Sequence, residues 1–133
     1  MKLLDTTFLI HYWAGRERVK EYLETHPDTE FATTTLNLKE IATGRAIQAK
    51  LNRHEIRSRF DWTTIIPFQF AHAMVAGELE AALHTDDETN QDKINALTGD
   101  VLIAAVAKHE GATVVTKNAD DFKQFSGVSV EAY

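Results

Sequence analysis

The sequence predicts an α/β fold in which a mostly parallel sheet is covered by helices on both faces. Short β-branched apolar segments alternate along the chain with longer segments whose apolar residues recur at helical spacing. Strands that are separated by helices pair in parallel, and the helices then cover the sheet. The chain has 133 residues, of which 44% are hydrophobic, so it is near the usual size of one domain. We therefore expect a single domain spanning residues 1–133.

Each predicted strand is a short run rich in Val, Ile, Thr or Leu, bounded by a turn or a helix start. The five predicted strands are Lys2–Asp5, Glu30–Thr34, Thr63–Pro67, Ala112–Thr116 and Val128–Val130. The first and fourth are strongly apolar, which is typical of strands buried on both faces. The last is predicted as an edge strand.

The predicted helices are longer and carry apolar residues on one face. They are Thr6–Trp13, Arg16–Thr25, Leu36–Thr43, Ala46–Phe60, Gln69–His84, Asp100–Glu110 and Ala119–Phe125. Gly44 and Gly111 are predicted to end helices, because glycine is favoured just after a helix terminus. Residues Thr85–Asp92 are predicted to form an acidic loop.

Four acidic residues stand where an apolar run meets a turn or a helix: Asp5, Glu40, Asp100 and Asp121. In open parallel sheets, ligands bind beyond the carboxyl ends of the strands, where Asp5 and Asp121 are expected. Each acid alone could cap a helix or face solvent. Clustered carboxylates repel, so a protein gathers them to share protons or to hold a cation. Together the four indicate a metal-dependent hydrolase of phosphate esters.

Composition narrows the classes of function further. The net charge is −6, from 14 basic and 20 acidic residues, so nucleic-acid binding would need a bound metal and local basic patches. The absence of cysteine excludes disulfides, Cys-zinc sites and thiol nucleophiles. The six histidines show no metal-ligand spacing, and we interpret them as surface or hydrogen-bonded residues. No apolar run is long enough to cross a membrane and the N-terminus is typical of a strand, so we expect a cytoplasmic protein.

The chain resembles the PIN domain family, and in particular the VapC-type toxins. The segments that carry the resemblance are Leu3–Ile10, Glu40–Ile41 with Gly44, Asp100–Ala105 and Gly111–Phe122. The resemblance runs nearly end to end, and the last two segments at their spacing are the most specific. It implies a three-layer α/β/α sandwich and a carboxylate pocket that binds Mg²⁺ or Mn²⁺. It also implies an endoribonuclease that is the toxin of a type II toxin–antitoxin pair, with an RNA substrate, a small antitoxin partner and a homodimeric assembly.

Roles follow for particular residues. Asp5 and Asp100 are expected as direct metal ligands, while Glu40 and Asp121 are expected to hold metal-bound waters or a second ion, so that all four are catalytic. Supporting polar residues are expected at Thr6, Thr116 and Asn118. Contacts to RNA are expected from Lys117, Arg45, Lys50 and Arg53.

Two departures from the family pattern bear on activity. Asn118 stands where related chains often carry an acid, and a neutral amide binds a hard cation more weakly. The acidic segment Asp86–Asp87–Glu88 would repel RNA if it lay near the pocket.

Three other functions fit parts of the sequence. A catalytically weak PIN-like binding or regulatory module would suit Asn118 and the acidic composition. A housekeeping RNA-processing nuclease would share the site with a toxin. An aspartyl phosphatase would need a second acid two residues after Asp5, where Thr7 stands, so it is disfavoured.

Overall fold

The computed structural model describes residues 1–85 and 90–133 of the chain. Its centre is a five-stranded sheet in which every pairing is parallel. The strands are β1 (Lys2–Leu4), β2 (Phe31–Thr34), β3 (Thr64–Ile66), β4 (Thr113–Thr116) and β5 (Ser129–Ala132). Their order across the sheet is β3-β2-β1-β4-β5, so β1 is central and its carboxyl end lies between those of β2 and β4.

Helices connect the strands. Within the described residues they are α1 (Thr6–Trp13), α2 (Glu17–Glu24), α3 (Thr35–Ile47), α4 (Arg53–Arg59), α5 (Phe70–Thr85), α6 (Gln91–Ala96), α7 (Thr98–Glu110) and α8 (Ala119–Phe122). In the part of the chain that the structure describes, none of these helices is both long and apolar enough to span a bilayer.

Alternation along the strands divides the core into two halves, one on each face of the sheet. Leu3 and Val114 point to one face and pack with the buried residues of α5, α6, α7 and α8. Their neighbours Leu4 and Val115 point to the other face and pack with α1, α2, α3 and α4. The sheet is therefore covered on both sides, and the predicted three-layer α/β/α sandwich is confirmed.

Short polar residues at strand ends start the two helices that carry the first half of the site. Asp5 follows β1 and caps α1, since its carboxylate accepts a hydrogen bond from the Phe8 N–H at 3.2 Å. Thr34 ends β2 and caps α3 in a reciprocal capping box with Asn37. The polypeptide thus turns directly from strand to helix at the carboxyl edge of the sheet, which places polar side chains there.

Two helix predictions in the first half of the chain were wrong in their bounds. Helix α3 continues through Gly44 to Ile47, because an internal glycine costs a helix only about 1 kcal/mol and Gly44 has no positive φ. The predicted helix 46–60 is instead interrupted at residues 48–52, where Ala49 has a φ of 58° and the Asn52 side chain caps α4.

The second half of the chain differs in two places. The predicted acidic loop 85–92 extends too far, since Asn90 caps α6 and Gln91 begins it; residues 86–89 lie outside the described part of the chain. Helix α7 starts two residues before Asp100, so Asp100 lies in its first turn and does not cap it. Gly111, with a φ of 67°, ends α7 as predicted.

Candidate active site

Asp5 is the most enclosed of the four predicted acids. It lies beyond the carboxyl end of β1, its residue is 5% exposed, and both carboxylate oxygens have donors. Oδ1 accepts from the Phe8 N–H, and Oδ2 accepts from the Thr116 hydroxyl at 2.5 Å. Burial raises the pKa of Asp5, the hydrogen bonds from Thr116 and Phe8 lower it, and the charge of Glu40 raises it again. The net shift is upward.

Thr116 and Asn118 connect Asp5 to the end of β4. Thr116 is fully buried, and its hydroxyl accepts the Asn118 N–H at 2.9 Å while donating to Asp5. Because a hydroxyl carries one proton, this arrangement fixes the direction of its O–H bond towards the carboxylate. The predicted supporting role of Thr116 has this geometric basis. Asn118 contributes its backbone N–H, and its exposed side chain caps no helix by a hydrogen bond.

Glu40 is held at the same edge by Thr6. The Thr6 hydroxyl donates to Glu40 Oε2 at 2.5 Å and accepts a hydrogen bond from the Asn37 side chain at 3.0 Å. Glu40 lies on α3, which starts at the end of β2, and Thr6 directly follows Asp5 on α1. A run of neutral donors from Asn37 through Thr6 to Glu40 therefore orients the carboxylate. Asn37 is fully buried, and its role here was missed from the sequence.

Asp100 lies close enough to the other three acids for their charges to affect its pKa. Burial raises its pKa to about 6, and the carboxylates of Asp121, Asp5 and Glu40, in that order, contribute further to the rise. Such an effect requires all three charges to be near Asp100, although they come from α8, the end of β1 and α3. The structure thus brings the four acids, which span 117 positions of sequence, into one negative region.

Within the described residues, no three of the site carboxylates place their ligand atoms within 4.8 Å of one another. Among residues 1–85 and 90–133, the one group of three acidic or histidine residues whose ligand atoms all lie within 4.8 Å of one another is elsewhere, at His72, His109 and Glu110. Carboxylate oxygens are the ligands that Mg²⁺ and Mn²⁺ prefer, and Mg²⁺ retains several waters when it binds proteins. A site with the buried Asp5, the half-buried Asp100 and the exposed Glu40 and Asp121 therefore suits a hydrated hard cation.

The group at His72 suits a structural role better than a metal. His72 is fully buried on α5, and its Nδ1 accepts the Gln69 N–H at 3.0 Å. Nε2 must then carry the ring proton, which it donates to Glu110 Oε1 at 2.9 Å. A metal at Nε2 would have to displace that proton while Nδ1 still faced a donor. His72 thus links the start of α5 to the end of α7, as a hydrogen-bonded histidine; because His109 is 37 positions away, no spacing could have indicated the group.

The predicted RNA contacts fall into two places. Lys117 follows β4 at the carboxyl edge, with its ammonium 5.7 Å from the centre of the Tyr133 ring. Arg45 lies at the end of α3, where it pairs with Glu55 at 3.2 Å and stacks over Trp13. Lys50 and Arg53 are exposed on the connection to α4 and at its start.

The aromatic residues of α1 pack inward. Phe8 is fully buried, and Tyr12 and Trp13 contact Phe60, while Tyr12 also contacts Trp62. These contacts belong to the core between α1 and α4.

The fold and this site define an α/β/α protein with an acidic pocket beyond the carboxyl ends of its central strands. The family model of the PIN domain matches residues 2–128, and the chain therefore belongs to the PIN domain family. No curated protein matches the sequence.

Several solved structures share the fold. VapBC2 from Rickettsia felis, bound to a promoter DNA fragment, is 22% identical with a TM-score of 0.79, over 99% of this chain and 98% of that one. DNA-bound VapBC from Salmonella typhimurium is 20% identical with a TM-score of 0.74, over 99% and 98%. A toxin–antitoxin complex from Klebsiella pneumoniae is 23% identical with a TM-score of 0.72, over 96% and 95%. At these identities the likeness establishes the fold.

Proposed function

We propose that this chain is a metal-dependent endoribonuclease that hydrolyses RNA phosphodiester bonds, and that it acts as the toxin of a type II toxin–antitoxin pair. The observation that carries the nuclease proposal is the pKa of Asp100, raised to about 6 by burial and by three carboxylates from distant parts of the chain. A protein that holds four acids together without ion-pairing them has kept their charge for a cation. Membership of the PIN domain family supports the same chemistry.

The metal would be Mg²⁺ or Mn²⁺, held by the acids according to how they are enclosed. Asp5 and Asp100 are the proposed direct ligands, and Glu40 and Asp121 the proposed holders of metal-bound water or of a second ion. When bound, such a cation lowers the pKa of a water and neutralises charge on the phosphate oxygens.

The protein's own contribution is orientation. Thr116 and the Phe8 N–H fix the two oxygens of Asp5, and Thr6 fixes Glu40, so neither carboxylate has to be reoriented when substrate arrives. Hydrogen bonds around metal ligands commonly account for ten- to a hundredfold in affinity or activity. These donors are neutral, so they orient the carboxylates without cancelling the charge that the metal requires.

The nuclease proposal is tested with purified protein and a pool of structured RNAs in Mg²⁺, Mn²⁺ or EDTA. We expect cleavage with either metal, none in EDTA, and loss of cleavage in Asp100→Asn and Asp121→Asn. The matched control is Asp120→Asn. Asp120 is exposed and precedes Asp121 in sequence, but its charge is not among those that raise the pKa of Asp100. Retained cleavage in Asp100→Asn would overturn the site, and metal binding without cleavage of any RNA would favour a binding or regulatory module.

The toxin proposal rests on the toxin–antitoxin complexes among the structures of the same fold. A cavity of about 280 Å³ between α1 and α3 gives an antitoxin segment a place to bind. Its lining includes Ile10, Trp13, Ile41 and Glu40, so an apolar segment seated there would reach the Glu40 carboxylate. We also propose a homodimer, for which size-exclusion chromatography with light scattering is the direct measurement.

A toxin and a housekeeping nuclease differ in what they do to a cell. Induced expression of the chain in bacteria without a partner should arrest growth, and Asp100→Asn should relieve the arrest. Normal growth with active enzyme in the lysate would favour housekeeping RNA processing.

A further inference from the structure

A set of basic residues lies around Tyr133, at the end of β5. This end of the sheet is across the candidate site from α3 and α4. The register of the two last strands pairs Thr116 of β4 with Ala132 of β5. The residues that follow, Lys117 and Tyr133, are therefore neighbours at the carboxyl edge of the sheet, next to the end of β4 that holds Asp5. The Lys117 ammonium lies 5.7 Å from the centre of the Tyr133 ring, within the range of a cation–π contact.

Helix α1 brings two more basic groups to the same place. His11 lies in its last turn, and its Nδ1 is 3.2 Å from the Tyr133 hydroxyl. The Arg16 N–H donates to the His11 carbonyl at 3.0 Å, so the backbone of Arg16 lies next to the end of α1 that carries His11. Phe8, one turn before His11, packs its ring edge-to-face against Tyr133 at 4.9 Å and fixes the tyrosine from the core side.

The basic residues and Asp5 change the pKa values of His11 and Tyr133. The pKa of His11 is lowered by burial first, then by Lys117 and Arg16, and is raised by Asp5. Burial and the charge of Asp5 raise the pKa of Tyr133 to about 12, while Arg18 opposes the rise. His11, Tyr133 and their cationic neighbours thus lie within electrostatic range of the most enclosed carboxylate of the site.

The cations of this group have no carboxylate partners. Among the residues that the structure describes, the ion pairs within 4.0 Å involve Lys2, Arg45 and His72, and none involves Arg16, Arg18 or Lys117. All three are exposed, although the chain carries six more acidic than basic residues and Glu17 lies between the two arginines in sequence. Exposed cations that remain unpaired in an acidic protein are available for an anion from outside.

We propose that His11, Arg16, Arg18, Lys117 and Tyr133, here called the α1–β5 strip, bind the phosphates of the RNA strand beside the carboxylate pocket. The inference rests on the proposed nuclease function and adds to it the surface by which the substrate backbone enters. Lys117 and the two arginines supply the charge, and the Tyr133 ring holds the Lys117 ammonium in place. Tyr133 also fixes His11 through its hydroxyl, so that the other ring nitrogen of His11 is left for the RNA.

The physical need for such a strip follows from the pocket itself. Four carboxylates repel a polyanion, so the strand must be held by cations outside the metal site. Arg45, expected from the sequence to contact RNA, is already paired with Glu55 and stacked on Trp13. The Glu55 carboxylate offsets its charge and so weakens its attraction for a phosphate. The α1–β5 strip carries its charge unpaired.

The test measures binding without cleavage. A 5′-labelled, unstructured 12-nucleotide RNA is titrated by fluorescence anisotropy in EDTA, with every protein carrying Asp100→Asn so that one repelling charge and cleavage are both removed. For single strands, each phosphate contact contributes a slope of about −0.7 to the salt dependence of the logarithm of the binding constant. Loss of one contact should therefore weaken binding about fivefold at 0.1 M salt, and loss of two about 25-fold.

We expect these losses for Lys117→Gln and for Arg16→Gln with Lys117→Gln, together with a shallower salt dependence. Lys108→Gln is the matched control, because Lys108 is an exposed lysine near the other end of α7, about 12 Å along the helix from Asp100, and should change affinity less than twofold. Equal weakening by Lys108→Gln, or unchanged affinity in the strip variants, would overturn the proposal. Weakening by Arg53→Gln alone would place the RNA on α4 instead.

The outcome is separable from that of the proposed function. Strip-dependent binding by a protein whose native form cleaves no RNA would leave the strip intact and overturn the nuclease. Metal-dependent cleavage by the native protein, with RNA binding that does not depend on the strip, would support the nuclease and overturn the strip.

Discussion

Replacement of Asp100 by asparagine should stabilise the metal-free protein at neutral pH. Asparagine has nearly the same shape as aspartate and removes its charge. In the folded protein that charge is partly buried in α7 and faces three other carboxylates, whereas in the unfolded chain it is hydrated. The ionised carboxylate is therefore in a worse environment when the protein is folded.

The magnitude follows from the pKa. Folding raises the pKa of Asp100 from 3.8 to about 6, so the folded state binds more protons than the unfolded state between about pH 4 and pH 6. Stability from this group consequently falls as the pH rises through that window and stays low above it. At 1.36 kcal/mol per pKa unit the full shift corresponds to about 3 kcal/mol, but Asp100 is only partly buried and water screens its charge. We expect about 1–2 kcal/mol.

The assay is urea denaturation in EDTA from pH 4 to pH 8, comparing the native sequence with Asp100→Asn and with the exposed control Asp120→Asn. Asp100→Asn should match the native protein near pH 4 and exceed it in the free energy of unfolding above pH 6. Millimolar Mg²⁺ should reverse the order, because binding to the folded state stabilises the native sequence by mass action. An Asp100→Asn protein that is no more stable at pH 8 in EDTA would show that the four acids do not repel one another as inferred.

Three further predictions concern single contacts. Thr116→Val removes the hydroxyl that donates to Asp5 and should slow RNA cleavage at least about tenfold in the assay above, with an unchanged circular dichroism spectrum. His72→Ala removes two hydrogen bonds and fills less of the core, so its free energy of unfolding in urea should fall by about 2–4 kcal/mol; a smaller loss than 1 kcal/mol would contradict the hydrogen-bonding role. Gly111→Ala should destabilise by about 1 kcal/mol because its φ is 67°, whereas Gly99→Ala in the first turn of α7 should be neutral or stabilising.

The sheet could be predicted because its residues carry a local signal. Each strand is a short β-branched or aliphatic run, and its neighbours in sequence differ sharply from it, so all five strands were found to within a few residues. Alternation of Leu3 with Leu4 and of Val114 with Val115 also explains why one short strand can serve two cores. A parallel order with β1 at the centre then places Asp5 at the middle of the carboxyl edge.

The helix bounds were less predictable because they depend on competition between weak effects. Gly44 does not end α3, since a single internal glycine costs less than the helix gains from its tertiary contacts. The true end is marked by Ala49 with a positive φ and by the cap at Asn52, and an alanine gives no warning of such a conformation.

The four acids of the candidate site could be proposed from the sequence, and their hydrogen-bond partners could not. The expected strands and helices placed Asp5, Asp100 and Asp121 near one another, and the resemblance to the PIN domain family added Glu40. The hydrogen-bond partners of these side chains are set by tertiary contacts. Asn37 reaches Thr6 from another helix, and Tyr133 reaches His11 from the end of β5. No spacing in the sequence encodes such pairs.

The choice of neutral donors around the acids has an energetic meaning. A lysine or arginine paired with Asp5 or Glu40 would lower the pKa of the carboxylate and remove the repulsion, and it would also compete with a cation for the same oxygens. Within residues 1–85 and 90–133, no lysine or arginine lies within 4.0 Å of the four site carboxylates, and hydroxyl and amide groups orient Asp5 and Glu40 instead. The repulsion therefore persists in the metal-free protein and lowers its stability. A bound cation relieves it, so the stability that the apo protein lacks reappears as part of the affinity for metal.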